Sequence, residues 1–230
     1  MSFAAHLING ISLGSVYALI ALGYTMVYGI AKMLNFAHGD VIMIGGYAVF
    51  VTVSGMGMNP LAAIIISMAV CTVLGVTIER VAYRPLRGAS PLAVLITAIG
   101  VSYLLQNIAL LVFGSDTKAF SNIVTFPNLV LFDGQLVIKS VTIVTVIVSV
   151  IIMVGLTLFV KKTKIGRAMT AVSEDKGAAQ LMGINVNGTI AVTFAIGSSL
   201  AAIAGVLLCS AYPSYRNAFV RQPDSLSGSV

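Results

Sequence analysis

The sequence predicts an all-α, polytopic membrane bundle with about six spans in this chain. Of its 230 residues, 58% are hydrophobic and only 9% are charged, and the mean hydropathy is +1.03. Soluble domains carry roughly 25% charged residues, so this chain cannot cover its whole surface with groups that face water. Its apolar residues also fall in separate long runs, and a helix needs about 20 such residues to cross a bilayer.

Six apolar segments account for the predicted spans. They are expected at residues 7–30, 41–54, 60–78, 91–113, 141–160 and 189–211. The second segment is short for a span unless the residues before it contribute. The fifth is rich in β-branched residues, but its unbroken length predicts a helix, because an open strand cannot satisfy its backbone hydrogen bonds in lipid.

The Lys and Arg residues are distributed unevenly between the two ends of these spans. Loops 31–40, 79–90 and 161–188 share one side and hold nine of the 13, namely Lys32, Arg80, Arg84, Arg87, Lys161, Lys162, Lys164, Arg167 and Lys176. The other four are Lys118, Lys139, Arg216 and Arg221. Because basic loops stay in the cytoplasm, the first side is predicted to be cytoplasmic and the N-terminus external.

Small residues spaced by four predict close contacts between helices. Gly10 and Gly14 are spaced in this way in the first span, and Gly197, Ala201 and Gly205 in the sixth. Such spacing lets helix backbones approach closely in a membrane. It indicates packing and no particular function.

The external loop 114–139 contains a hairpin signal. Asp133-Gly134 lies between two short apolar runs in "LVLFDGQLVI", which is the pattern of a two-residue turn between strands. Two interpretations stay open for this hairpin: a lid over the bundle, and part of a docking surface for an external partner.

Neutral polar side chains inside the spans are the candidates for a translocation path. Asn9 and Ser12 lie in the first span, and Gln106 and Asn107 lie in the fourth. Such residues form hydrogen bonds between helices or line a polar path, and both interpretations stay open. No span centre is expected to hold a charged residue, which argues against proton-coupled transport.

Nothing in the sequence predicts an enzyme. The two histidines, His6 and His38, fall in different loops, and no phosphate-binding Gly-rich loop followed by Lys is present. ATP hydrolysis by that motif is therefore excluded for this chain. Cys71 and Cys209 lie inside apolar runs as small buried residues, so no metal or other cofactor is expected. Basic runs interleaved with stacking aromatics are absent, which argues against nucleic-acid binding.

The stretch "LNFAHGD", residues 34–40, is a polar corner between the first two spans. Asn35, His38, Gly39 and Asp40 are expected at the cytoplasmic ends of these spans, where the ionisable groups reach water or headgroups. Asp40 is predicted to cap a helix that starts at Val41, and Gly39 is predicted to allow a close approach beside it. A structural corner is the favoured interpretation, and an inner gate is the alternative.

The longest cytoplasmic segment, residues 161–188, predicts a short helix. Ser173 precedes Glu174 and Asp175, which suits a helix start with acids in its first turn. The helix is expected to continue through Met182, and Gly183 supplies its C-terminal stop.

This short helix is predicted to be amphipathic. Ala178, Leu181 and Met182 share one face at spacings of three and four residues. Such a face lies on the membrane surface or in the groove of a cytoplasmic partner.

Several stretches of the sequence resemble one family. Glu174, Ala178, Ala179 and Gly183 resemble a divergent form of the "EAA…G" motif of ABC-importer permeases. Together with "LNFAHGD", "ERVAYRPLRG" and "GRAMTAVSEDKGAAQLMGIN", they resemble the branched-chain amino-acid permease subunit of the LivH type. The resemblance runs from about residue 10 to residue 212.

The resemblance implies a set of partners in a bacterial inner membrane. These are a second related permease, two cytoplasmic ATPase subunits, an external binding protein that delivers leucine, isoleucine or valine, and the surrounding lipid. ATP hydrolysis is then the partner's chemistry. The residues expected to couple it to this chain are Arg167, Glu174, Asp175, Ala178, Ala179 and Gly183. Two alternatives remain: an importer for urea or short amides, and a stand-alone carrier or channel for a small neutral solute.

Two regions follow from this interpretation. Residues 1–211 are expected to form the permease domain, with the coupling loop 161–188 inside it, and residues 212–230 a polar tail. After Tyr212, members of the family typically continue with further membrane segments. The tail is therefore expected to be a truncated or frame-shifted end.

Overall fold

The computed structural model describes residues 2–114, 129–131, 136–138 and 140–211, and it confirms the all-α bundle. The polar tail predicted at 212–230 lies outside the described residues. The helices are α1 Ser2–Ala31, α2 His38–Phe50, α3 Pro60–Ile78, α4 Pro91–Phe113, α5 Ser140–Lys162, α6 Lys164–Glu174, α7 Lys176–Leu181 and α8 Val186–Ala211.

Five helices in the described part of the chain are long and apolar enough to cross a membrane. They are His6–Ala31, Pro60–Leu86, Pro91–Phe113, Ser140–Lys162 and Val186–Ser210. The remaining apolar segment, the second along the chain, forms α2. A π-helical turn at Val51–Gly55 extends this helix. The prediction of about six spans therefore holds, with the second as the short one.

Local sequence signals set several of the helix starts. The Asn59 side chain accepts a hydrogen bond from the amide of Leu61, and Pro60 occupies the first position of α3. Proline is suited to this position because the first amides of a helix have no partner inside it. Ser90 caps α4 in the same way ahead of Pro91.

Helix α8 lies at the centre of the bundle and packs against α1, α2 and α3. Its glycines make this close packing possible. A Cβ atom on Gly197 would lie 2.7 Å from Val27 Cγ2, and one on Gly205 would lie 2.6 Å from the carbonyl oxygen of Ile42. The predicted close contacts of the sixth span are confirmed.

The corresponding prediction for the first span is wrong within the part of the chain that the structure describes. A Cβ atom on Gly10 or Gly14 would meet no described atom within 4 Å. Spacing by four identifies a face of a helix, and it does not establish that another helix covers this face.

The predicted hairpin is present outside the bundle. Strands β1 Leu129–Leu131 and β2 Leu136–Ile138 pair antiparallel, with Leu131 opposite Leu136. The predicted turn residues Asp133 and Gly134 lie outside the described residues. Strand β2 contacts α1, which places the hairpin against the bundle.

Candidate functional site

Three stretches that carry the family resemblance meet at one end of the bundle. The first contact joins "ERVAYRPLRG" to "LNFAHGD". The hydroxyl of Tyr83 lies 3.3 Å from the carbonyl oxygen of Leu34 and 3.2 Å from Asn35 Oδ1. The Tyr83 ring is buried, and its centroid lies 5.3 Å from that of Phe194 in α8. The irregular segment between α1 and α2 is thereby fixed to two other helices.

Arg87 makes the second connection at this end. Its guanidinium donates to the buried carboxylate of Glu79 and to the side-chain oxygen of Asn187 at the start of α8. Burial lowers the pKa of Arg87, and the negative charge of Glu79 partly offsets this shift. An arginine that loses part of its hydration keeps its charge readily in such a pair. Arg87 therefore ties the loop before α4 to α8.

Lys176 makes the third connection, between α7 and α1. Its Nζ donates to the carbonyl oxygen of Ala31 over 2.7 Å. Ala31 is the last residue of α1, where the carbonyl groups lack partners and the helix dipole favours a cation. Burial lowers the pKa of Lys176, and the charges of Arg87 and Lys32 lower it further. This contact links the predicted coupling helix directly to a membrane span.

These connections also bear on the grouping of the loops. The loops predicted to share one side, 31–40, 79–90 and 161–188, are joined by the hydrogen bonds of Tyr83, Arg87 and Lys176. The sequence identifies Arg87 and Lys176 as basic loop residues, but it does not predict the hydrogen bonds of the three side chains, because their partners are distant in the sequence.

The predicted start of the coupling helix is wrong. Ser173 lies inside α6, and its hydroxyl donates to the Thr170 carbonyl over 2.7 Å. Asp175 instead caps α7 and accepts from the amides of Gly177 and Ala178 at 2.7 and 2.9 Å. The extended backbone of Asp175 suits a capping residue. The predicted C-terminal stop is confirmed, because Gly183 has a φ of 80°.

The apolar face of α7 points away from the bundle. Leu181 and Met182 are 90% and 82% exposed, and Ala178 is exposed beside them. Ala179 is buried in the main hydrophobic core. The other predicted coupling residues are exposed, namely Arg167, Glu174, Asp175 and Gly183.

Both ionisable side chains of the corner "LNFAHGD" are buried, although Leu34, Phe36 and Gly39 are exposed. The prediction that these ionisable groups reach water is therefore wrong for His38 and Asp40. They are 4% and 7% exposed. Helix α2 begins at His38 and has Ala37 at its cap position, so Asp40 lies in the first turn and does not cap a helix at Val41. These side chains face α1 and α4 instead of water.

The close approach that the sequence predicts at Gly39 occurs instead at Gly23. A Cβ atom on Gly39 would meet nothing within 4 Å. A Cβ atom on Gly23 of α1, by contrast, would lie 3.2 Å from Cε1 of the His38 ring. The glycine that makes room for this corner belongs to the facing helix.

Helix α2 begins deep inside the bundle. Asp40 Oδ1 accepts a hydrogen bond of 3.0 Å from Gln106 Nε2, and Gln106 lies 15 residues after Pro91, about 22 Å along α4. Cys71, 11 residues after Pro60 in α3, has its Sγ 3.5 Å from the carbonyl oxygen of Val41.

This depth corrects the expectation that no span centre holds a charged residue. Asp40 lies level with the interior of α3 and α4, and residues 32–37 return into the bundle from the end of α1. A carboxyl group at such a depth is costly to bury in a membrane and marks a functional site by default.

The four predicted path residues do not form one cluster. Gln106 donates to Asp40 and also to Ser102 Oγ at 3.1 Å, while Asn107 donates to a carbonyl of its own helix. Asn9 is exposed and Ser12 is buried. No hydrogen bond within the described ranges joins Asn9 or Ser12 to the pair in α4. The structure therefore unites Gln106 with Asp40 and leaves the other three apart.

The described residues contain no group of three His, Cys, Asp or Glu side chains that could hold a metal ion. The chemistry available at this depth is hydrogen bonding and charge, which suits recognition of a solute.

Comparisons with known proteins identify the relatives of the chain. A family model described as "Branched-chain amino acid transport system / permease component" matches residues 6–222. The high-affinity branched-chain amino acid transport system permease protein BraD of Pseudomonas aeruginosa is 45% identical over 220 residues, which cover 91% of this chain and 72% of that protein. LivH of Escherichia coli is 42% identical over 220 residues, with 91% and 71% covered.

A more distant relative is the probable LivH permease of Methanocaldococcus jannaschii, 30% identical over 201 residues that cover 84% of this chain and 62% of that protein. No solved structure matches the chain. The matched region contains every described helix from residue 6 onward, including the short α2 and the exposed α7. The chain is a multi-pass membrane protein, and it belongs to the branched-chain amino acid transport system permease family.

Proposed function

We propose that the chain is the permease subunit of an ATP-driven importer for leucine, isoleucine and valine in a bacterial inner membrane. The named relatives are permeases for branched-chain amino acids. Their similarity covers about nine-tenths of this chain, which supports the same role here more than a role in urea or amide import.

The observation that carries the proposal is the exposure of α7. Met182 and Leu181 are large apolar side chains with almost no contact in this chain, although α7 itself is anchored by Lys176 and Ala179. A short helix that is fixed on one side and apolar on the other is suited to insert into the groove of a partner. The partner we propose is a cytoplasmic ATPase subunit, two of which serve a pair of related permeases.

The same arrangement supports a route for coupling. When the ATPase subunits close, α7 moves, and the hydrogen bond from Lys176 to Ala31 transfers this movement to α1. The next residues along the chain are the segment 32–37, in which Met33, Asn35 and Ala37 are buried, and the start of α2. We propose that coupling from Arg167, Glu174, Asp175, Ala178 and Gly183 follows this route, with residues 1–211 acting as the permease domain.

The proposed orientation follows from charge. The end of the bundle that contains α7 carries most of the Lys and Arg residues, and basic loops stay in the cytoplasm. The N-terminus is then external, where the hairpin β1–β2 lies near the side at which a substrate-binding protein would dock.

Substitution of Met182 tests the docking proposal. Met182→Glu places a charge on the apolar face of α7, and we expect the co-expressed ATPase to co-purify at least about tenfold less, because burial of an unpaired charge costs several kcal/mol. Met182→Leu keeps the face apolar and serves as the matched control, with retention expected to remain near that of the original chain.

For this experiment, candidate ATPase subunits, a second permease and a binding protein are sought among the products of neighbouring genes and co-expressed with the chain. Undiminished co-purification of the ATPase with the Met182→Glu chain, at normal abundance in the membrane, would contradict docking through α7. Leucine uptake that persists when the ATPase is left out would instead indicate a stand-alone carrier.

A further inference from the structure

We propose that Asp40, oriented by Gln106, binds the ammonium group of the amino-acid substrate partway along the translocation path. This inference rests on the proposed function and adds to it a charged recognition point inside the membrane. The proposal stands on the position of the carboxylate, its incomplete hydrogen bonding and the surface to which it leads.

The Asp40 carboxylate lacks a charged partner. In the described residues the one ion pair joins Arg87 to Glu79, so neither Lys nor Arg neutralises Asp40 there. Asp40 nevertheless lies about 22 Å from the start of α4, where an ionisable group is expensive to retain. The first turn of the 13-residue helix α2 favours a negative charge through the helix dipole.

Only one oxygen of this carboxylate is satisfied. Oδ1 accepts from Gln106 Nε2 at 3.0 Å, whereas Oδ2 is buried without a hydrogen-bond partner. Buried polar atoms in native proteins nearly always have a partner, and a carboxylate oxygen accepts most strongly from a charged donor. An ammonium group supplies such a donor together with the missing positive charge.

Gln106 connects this carboxylate to the surface of the chain. The Gln106 side chain is exposed, and Ile99 and Tyr103 lie on the same face of α4, seven and three residues before it. They are 41% and 63% exposed. An aliphatic side chain next to the ammonium group would therefore meet apolar and aromatic surface.

The second ionisable side chain of this turn faces another helix. His38 lies two residues before Asp40 and therefore on the opposite side of α2, against Gly23 and Tyr24 of α1. His38 is consequently excluded from the proposed site. The ligand class is a zwitterion with a primary ammonium and a branched aliphatic chain, and a neutral solute such as urea would leave the carboxylate unpaired.

The test compares variants in the complete importer reconstituted in proteoliposomes, with its second permease, ATPase subunits and binding protein. Uptake of [¹⁴C]leucine and ATP hydrolysis are measured on the same samples. Asp40→Asn preserves the shape of the side chain and an oxygen that can accept from Gln106, but it removes the charge. We expect leucine taken up per ATP hydrolysed to fall by at least about tenfold, while all subunits still co-purify and ATP is still hydrolysed.

Two further variants sharpen the result. Gln106→Leu keeps the carboxylate and removes its donor, and we expect a fall of about threefold in the same ratio, in line with the loss of one hydrogen bond. Thr145→Val alters a fully buried hydroxyl in α5, outside the site, and is the matched control, with an unchanged ratio expected.

A ratio in Asp40→Asn equal to that of the original chain overturns the proposal. Loss of subunit co-purification together with ATP hydrolysis also overturns it, because Asp40 then serves assembly. If Asp40→Asn does not reach the membrane, Gln106→Leu decides, and an unchanged ratio there rejects the site. Absence of leucine uptake by the original chain would refute the proposed function instead.

Discussion

The hydroxyl of Tyr83, in the helical turn that follows α3, contacts the irregular segment between α1 and α2. It lies within hydrogen-bond distance of the Leu34 carbonyl and of the Asn35 side chain, which is only 5% exposed. Removal of this hydroxyl leaves buried acceptors without a donor, and this loss costs more than the hydrogen bond contributes on balance.

Tyr83→Phe is therefore expected to lower the free energy of unfolding by about 1–3 kcal/mol. The measurement is thermal unfolding of the purified chain in detergent, followed by circular dichroism. Tyr28→Phe, at a tyrosine that is 48% exposed on α1, is the matched control and should unfold as the original chain does. Equal unfolding temperatures for both variants would show that Tyr83 does not hold the segment.

At the residue scale, the depth of the segment "LNFAHGD" could not be predicted from the sequence. The polarity of "LNFAHGD" correctly marked a special segment, yet its depth is set by Tyr83, 48 residues beyond Asn35, and by Gln106, 66 residues beyond Asp40. Hydropathy summed along the chain contains no information about such pairs. A segment that ends a span and a segment that turns back into the bundle consequently cannot be distinguished by their local composition.

At the scale of elements, the ends and types of the helices follow largely from local chemistry. Pro60 and Pro91 start α3 and α4 as expected, and Gly183 ends the segment of α7. The sequence predicts that α7 starts at Ser173, but Asp175 caps the helix, because the Ser173 hydroxyl is used within α6. Two residues of similar capping ability, only two positions apart, cannot be ranked without knowledge of the preceding helix.

Packing of α8 depends on contacts that local chemistry does not determine. Gly10 and Gly14 of α1 are spaced like Gly197 and Gly205 of α8, but within the described residues only the pair in α8 lies against another helix. Gly205→Ala would press a Cβ atom against the backbone carbonyl of Ile42. Backbone cannot rotate away as a side chain can, so the two helices have to move apart.

We expect Gly205→Ala to destabilise the bundle by about 1–3 kcal/mol, as overpacking of a core does. Gly10→Ala is the matched control in an uncrowded position of α1, and alanine there favours the helix by up to about 1 kcal/mol. Chemical unfolding in mixed detergent would measure both. A stability of Gly205→Ala equal to or above that of Gly10→Ala would contradict the described packing of α8 against α2.

At the scale of the whole molecule, the proposed docking face and the proposed solute site lie in different parts of the bundle. Helix α7 offers an apolar face at one end, and the Asp40–Gln106 pair lies within the bundle. We propose that Lys176, Ala31 and the segment 32–37 form the route between them, because the Lys176 side chain is hydrogen-bonded to the last residue of α1.

The fold class and family could be anticipated from the sequence because both depend on composition and on local motifs. The position of the proposed solute site could not be anticipated, since it depends on where α2 begins relative to α4. Hydropathy alone treats α2 as a shorter version of the other spans. The structure distinguishes it as the helix whose first turn lies inside the bundle and bears an acid.

The most direct test of the central claim is leucine uptake by the complete importer in proteoliposomes, with and without its ATPase subunits. The claim predicts that [¹⁴C]leucine accumulates only when this chain, its permease partner, the binding protein, the ATPase and ATP are all present. Accumulation in vesicles that lack the ATPase, or no accumulation in the complete system, would contradict it.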